Sequence, residues 1–170
     1  MGQLRSVLRS YAYEGSSPAT VLDRLDRLVQ AFDMAQLATA VYVRLIVDGD
    51  LALLVFANGG HPPPVVRPPD GAAFRLDRAL SPLIGARPPG ERVRSEAAVT
   101  LPAGALLVFY TDGLVESRGR GVEDGIDLLC AAVSAVDPRA TPDEVCDTIL
   151  AGMIGPDWDD DVVLLVIRID

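Results

Sequence analysis

Four carboxylates in this chain stand where apolar runs begin or end. Asp112 follows Leu107–Tyr110 in the stretch LVFYTDGLVES, with Gly113 directly behind it. Asp159, Asp160 and Asp161 come immediately before VVLLVIRI, the last apolar run of the chain. If neighbouring strands bring those ends together, several carboxylates converge and their mutual repulsion must be offset. A hard divalent cation with oxygen ligands offsets it. A glycine beside such an ion lets the backbone turn where a side chain would obstruct. The plainer readings stay open: Asp-Gly after a strand is most often a turn, and an acidic triplet is most often a solvated loop. His61, the single histidine, stands in a Gly/Pro turn and reads as structural. Cys130 and Cys146 show no metal-ligand spacing, so reduced, buried thiols are expected. On pattern alone the reading stops at a candidate divalent-cation site.

The elements that must position these residues follow from periodicity. Leu4, Val7, Leu8 and Tyr11 predict a helix over residues 1–13, with no N-cap ahead of it. Ser17 and Pro18 open a second helix whose apolar stripe is Val21, Leu22, Leu25, Leu28, Val29 and Phe32. Asp23, Arg24, Asp26 and Arg27 read as its solvent face. From Ala38 the period falls to two: ATAVYVRLIV and LALLVFA flank Asp48, Gly49 and Asp50, a hairpin signal. Further strands are expected at Val65–Arg67, Phe74–Leu76, near Arg92–Val99 and at Ala105–Tyr110. Helical spacing returns weakly after Gly125 and strongly after Thr141, where Thr141 and Glu144 form a capping box around Pro142. The last strand is residues 162–169. Helices around a long antiparallel meander make a layered α+β domain.

Composition sets the limits. A chain of 170 residues fits one domain, and no apolar run is long enough to cross a bilayer. No signal sequence opens it, so a cytoplasmic location is expected. The net charge is −9 and all 15 basic residues are arginine, a pattern that codon bias explains. An acidic chain without a basic stripe is a poor nucleic-acid binder, and it does not favour anionic membranes. The expected partners are proteins and cations.

The ordered set FANGGHPPPVV (56–66), SPLIG (81–85), LPAGALLVFYTDGLVESR (101–118) and WDDDVVLLVIR (158–168) resembles the PPM-type (PP2C-like) bacterial protein phosphatases. The branch it is most similar to is that of SpoIIE and RsbU. The resemblance implies an α-β-β-α sandwich of two antiparallel sheets flanked by helices, spanning residues 1–170 as a single domain. It implies hydrolysis of phosphoserine or phosphothreonine with two Mn²⁺ or Mg²⁺ ions, in which an activated water attacks phosphorus in line. The implied substrate is a phosphorylated regulatory protein such as an anti-sigma-factor antagonist. Carried over residue by residue, Asp112 and Asp160 match metal ligands, and Gly113 and Asp161 stand beside them. Asn58, Gly60 and His61 match a hairpin of mainly structural role. Val163 stands where many relatives carry threonine.

The resemblance also implies an upstream strand ending in an aspartate-glycine pair, whose aspartate bridges the two ions. Met1 falls just after that segment, and the uncapped first helix agrees, so the domain is expected to be incomplete at its N-terminus. The readings that follow are a truncated or mis-started phosphatase, weak or inactive as it stands; a dead pseudophosphatase that binds a partner; or a binding and dimerisation scaffold. The first is preferred. It predicts weak binding of at most one Mn²⁺, and a homodimer formed through the unpaired sheet edge or the first two helices.

Overall fold

The computed structural model describes residues 2–32, 37–86, 94–117, 119–155 and 160–170. Four helices run Gly2–Tyr13 (α1), Pro18–Ala31 (α2), Val122–Ala135 (α3) and Pro142–Met153 (α4). Eight strands run Ala40–Asp48 (β1), Leu51–Gly59 (β2), Val65–Arg67 (β3), Phe74–Arg75 (β4), Leu80–Ser81 (β5), Ala97–Pro102 (β6), Leu106–Tyr110 (β7) and Leu164–Arg168 (β8). They form two four-stranded sheets, one ordered β1-β2-β5 with β6 also on β2, the other β4-β3-β7-β8. This is the expected mixed α+β architecture. Among the described residues no helix is long and apolar enough to cross a membrane.

The chain divides into two compact units, residues 1–46, 53–61 and 78–99 in one and residues 47–52, 62–77 and 100–170 in the other. In the first, α1 and α2 pack together and bury Leu22, Leu25 and Val29 with Ala57 and Ile84. Ser17 caps α2 by accepting from Thr20 N at 3.4 Å, with Pro18 at the first helical position. In the second, α3 and α4 pack with the β3-β7-β8 strands over Val65, Leu106, Val108, Ile126, Leu129, Val145, Ile149 and Val166. Burial of each such side chain contributes about 1.5–3 kcal/mol. The capping box on α4 is present as read: Thr141 Oγ1 accepts from Glu144 N, and Glu144 Oε2 accepts from Thr141 N at 2.7 Å.

Several expectations need correction. β5 pairs with β2 in parallel, through Asn58–Leu80 and Gly59–Ser81, so one short rung departs from an antiparallel sheet. Two residues are too short a run for any period to show. α3 begins at Val122, three residues ahead of Gly125, because Gly121 takes the cap position and Glu123 and Asp124 fill the first turn, where carboxylates favour the positive helix end. Gly125 is then interior to the helix, where any Cβ would collide with Val115 O. The Arg92–Val99 strand shifts to Ala97–Pro102, and its first part lies outside the described residues. Cys130 and Cys146 are free thiols as expected, but they are half-buried and pack against the edge of the core, and burial pushes both thiols up in pKa. Finally, Asp23 and Asp26 are buried, at 4% and 0% exposure, and do not belong to a solvent face.

Candidate functional site

Asp112, Gly113, Asp160 and Asp161 all lie in the second unit. β7 and β8 pair antiparallel from Leu106–Arg168 to Tyr110–Leu164. That register sets the residues after β7 beside the residues before β8. Beyond the last rung Thr111 N donates to Val163 O at 3.1 Å. Thr111 Oγ1 accepts from Val163 N at 2.9 Å and donates to Asp161 O at 3.2 Å. The chain then turns through a single 3₁₀ turn, Asp112–Leu114. The two segments touch at Gly113: a Cβ there would overlap Asp161 O and lie 3.2 Å from Asp160 Oδ2. Asp112 and Asp160 are thereby brought to one place, from residues 48 apart in sequence.

The two carboxylates are held alike. Asp112 Oδ1 accepts from Gly113 N at 3.1 Å, and Asp160 Oδ1 accepts from Asp161 N at 2.8 Å. Each aspartate is thus oriented by the amide that follows it, and both are exposed. The donor set is oxygen only, which suits Mg²⁺ or Mn²⁺ over a thiolate-seeking metal. Among the described residues no group of three or more carboxylate, imidazole and thiolate side chains is arranged to hold an ion. Asp112 and Asp160 are the side chains among the described residues that would hold a hard cation here. Asp159 lies outside the described residues. Asp161 sits at the contact through its backbone, whose carbonyl oxygen meets Thr111 and Gly113.

Asn58 and His61 lie in the first unit and make a turn. Asn58 Nδ2 donates to His61 O and Asn58 Oδ1 accepts from His61 N, both at 2.8 Å, so one amide side chain closes four residues. His61 Nδ1 and Thr39 Oγ1 are 3.2 Å apart. Gly60 is required in the same turn, with φ of +72° and Leu83 filling the space of a side chain. Behind the turn Ser81 Oγ donates to Asn58 O at 2.5 Å and accepts from Arg94 Nη1 at 2.8 Å. Arg94 pairs through Nη2 with Asp26 Oδ2 at 3.0 Å, both side chains fully buried, and Asp26 Oδ1 accepts from Gly85 N at 2.7 Å. Arg94 also donates to Pro82 O and Leu83 O, and its own N–H donates to Asp23 Oδ1.

Two groups here escaped the sequence reading. Thr111 gave no signal, because a threonine at a strand end is ordinary and its hydroxyl partners lie 50 and 52 residues away. Asp26 did leave a trace: it stands four residues after Leu22 and three before Val29, inside the apolar stripe. Its partner Arg94 is distant in sequence, and a lone aspartate on that stripe passes for part of a polar face.

The family model described as Stage II sporulation protein E (SpoIIE) matches residues 1–170. The chain belongs to the SpoIIE family. The SpoIIE fold recurs in solved structures. One is that of the RsbU and RsbW domains of Rv1364c from Mycobacterium tuberculosis, 26% identical, with a TM-score of 0.78 over 99% of this chain and 46% of that one. A second is RsbX in complex with magnesium, 14% identical, TM-score 0.67, covering 97% of this chain and 70% of that one. A third holds the PP2C phosphatase domain and part of the regulatory domain of SpoIIE from Bacillus subtilis, 19% identical, TM-score 0.68, covering 99% and 49%. This SpoIIE-family chain therefore spans about half the length of the first and third of these structures. Its family is one of PP2C-type phosphatases, and the two sheets and four helices of its described residues match their fold.

Proposed function

We propose that this chain carries the Asp112 and Asp160 portion of a metal-dependent site that hydrolyses phosphoserine or phosphothreonine on a regulatory protein. The observation that carries the reading is the closure of Asp160 onto Gly113, directly behind Asp112, in a chain of the SpoIIE family. Mn²⁺ or Mg²⁺ bound there supplies positive charge for the phosphoryl oxygens and lowers the pKa of water. The protein's own part is to present two oriented carboxylates. Gly113 keeps the backbone close enough for both to face one ion, and the two following amides fix their rotamers. Asp112 and Asp160 are the ion-holding residues; Gly113 and Asp161 shape the contact between their segments, while Asn58 and His61 support a separate turn.

Two carboxylates support one ion weakly, so the chain by itself is expected to turn over slowly or not at all. Its partner is proposed to be a phosphorylated regulatory protein of the anti-sigma-factor-antagonist type, met in the cytoplasm. The test is in two steps. Calorimetry of the 170-residue chain with Mn²⁺ is expected to show a single weak site that Asp112→Asn or Asp160→Asn removes. Two tight sites, or binding indifferent to both substitutions, would overturn the assignment. In the longest protein that carries these residues, the same substitutions are expected to abolish most Mn²⁺-dependent hydrolysis of phosphoserine. A protein inert toward phosphoproteins with every divalent ion would instead be a binding or dimerisation module.

A further inference from the structure

The rung between Thr111 and Val163 is made half by backbone and half by side chain. Thr111 N donates to Val163 O as in an ordinary ladder, but Val163 N donates to the threonine hydroxyl and not to a carbonyl. The same hydroxyl spends its proton on Asp161 O. A hydroxyl has one proton to give and lone pairs to receive with. Both capacities are used here on Asp161 and Val163, in the stretch that directly follows Asp160. At the other side, Thr111 is bonded directly to Asp112. One side chain therefore couples the two carboxylate-bearing segments, and Gly113 closes on the same carbonyl of Asp161 from the next position.

We infer that Thr111 is a positioning residue for the ion site: its hydroxyl sets the separation and facing of the Asp112 and Asp160 carboxylates without itself being a ligand. The inference rests on the reading of those two aspartates as ion-holding residues. Valine at this position keeps the branched shape but offers Val163 N and Asp161 O nothing. Serine keeps the hydroxyl and loses only the methyl group. The two substitutions therefore separate hydrogen bonding from packing.

The experiment uses the 170-residue chain with Mn²⁺ alone, alongside amide hydrogen exchange at Val163 in metal-free buffer. Thr111→Val is expected to weaken Mn²⁺ binding by about 10–100-fold, the usual effect of losing a group that orients a ligand. It is also expected to speed exchange at Val163. Thr111→Ser is expected to restore both readouts close to wild type. Wild-type Mn²⁺ affinity in Thr111→Val, with binding abolished in Asp112→Asn, would overturn the positioning role while leaving the ion site standing. Binding unaffected by Asp112→Asn and Asp160→Asn would remove the ion site itself. Unchanged exchange at Val163 in Thr111→Val would overturn the hydroxyl bridge whether or not an ion binds.

Discussion

A methyl group added to Gly113 would overlap the carbonyl oxygen of Asp161, a backbone atom that moves only if its whole segment moves. Gly113→Ala is therefore expected to push the 160–163 segment away from Asp112. Overpacking of this kind costs about 1–3 kcal/mol. The signature would be a lowered denaturation midpoint together with loss of Mn²⁺ binding, although no carboxylate has been touched. Asp26 presents the opposite case, a group whose removal leaves a charge behind. Asp26→Leu strips Arg94 of its buried counter-ion. Breaking a buried pair in this way costs roughly 3–5 kcal/mol, and urea unfolding would show it as a large fall in stability. A change below about 1 kcal/mol would mean that water reaches Arg94.

At the scale of elements, β7 carries a pH dependence of its own. Tyr110 is buried, its hydroxyl donating to Pro63 O at 2.8 Å, and that burial holds the phenol well above its ordinary pKa. Between the ordinary value near 10 and the folded one, the unfolded chain loses the proton and the folded chain keeps it. Stability is thus intact below about pH 10 and declines as pH rises further. Tyr110→Phe is expected to flatten that alkaline decline in thermal melts, whatever it does to stability at neutral pH. The α4 helix answers to a simpler test: Thr141→Ala removes its cap and is expected to cost about 1 kcal/mol. Helices were legible in the sequence because caps and apolar stripes are local, as Ser17 and Thr141 show. The β1–β2 hairpin was legible for the same reason, with Gly49 at φ +57° in the turn. What stayed illegible was pairing across distance. Leu80–Ser81 has no period to reveal it, and Asp26 reads as polar surface until Arg94 folds over it. At the candidate site the aspartates were visible as strand-end carboxylates, whereas Thr111 was not, because its two partners are chosen by the β7–β8 register.

At the scale of the whole molecule, the exposed edge of β1 bears on association. Among the described residues β1 ends its sheet, and Leu45, Ile46 and Val47 are 37%, 44% and 58% exposed. Strand edges of this length and character recruit other strands. Two copies pairing antiparallel about Ile46 would set Arg44 of each opposite Asp48 of the other, with Leu45 against Val47. Cross-strand pairs of opposite charge and of apolar side chains are each worth about 0.2–1 kcal/mol. Light scattering is expected to show a concentration-dependent dimer that Arg44→Asp weakens and Arg44→Asp with Asp48→Arg restores. A monomer at every concentration would count against it.

The guanidinium of Arg94 reaches one carboxylate, one hydroxyl and two carbonyl oxygens at once. An ammonium has three protons on a single point and cannot span that set. The absence of lysine from the sequence therefore conceals two kinds of arginine. Exposed ones such as Arg9 and Arg139 are free to drift to lysine in a lineage with different codon usage. Arg94 is not, and in such a lineage it would persist as a relic of the fold while the surface around it changed its chemistry.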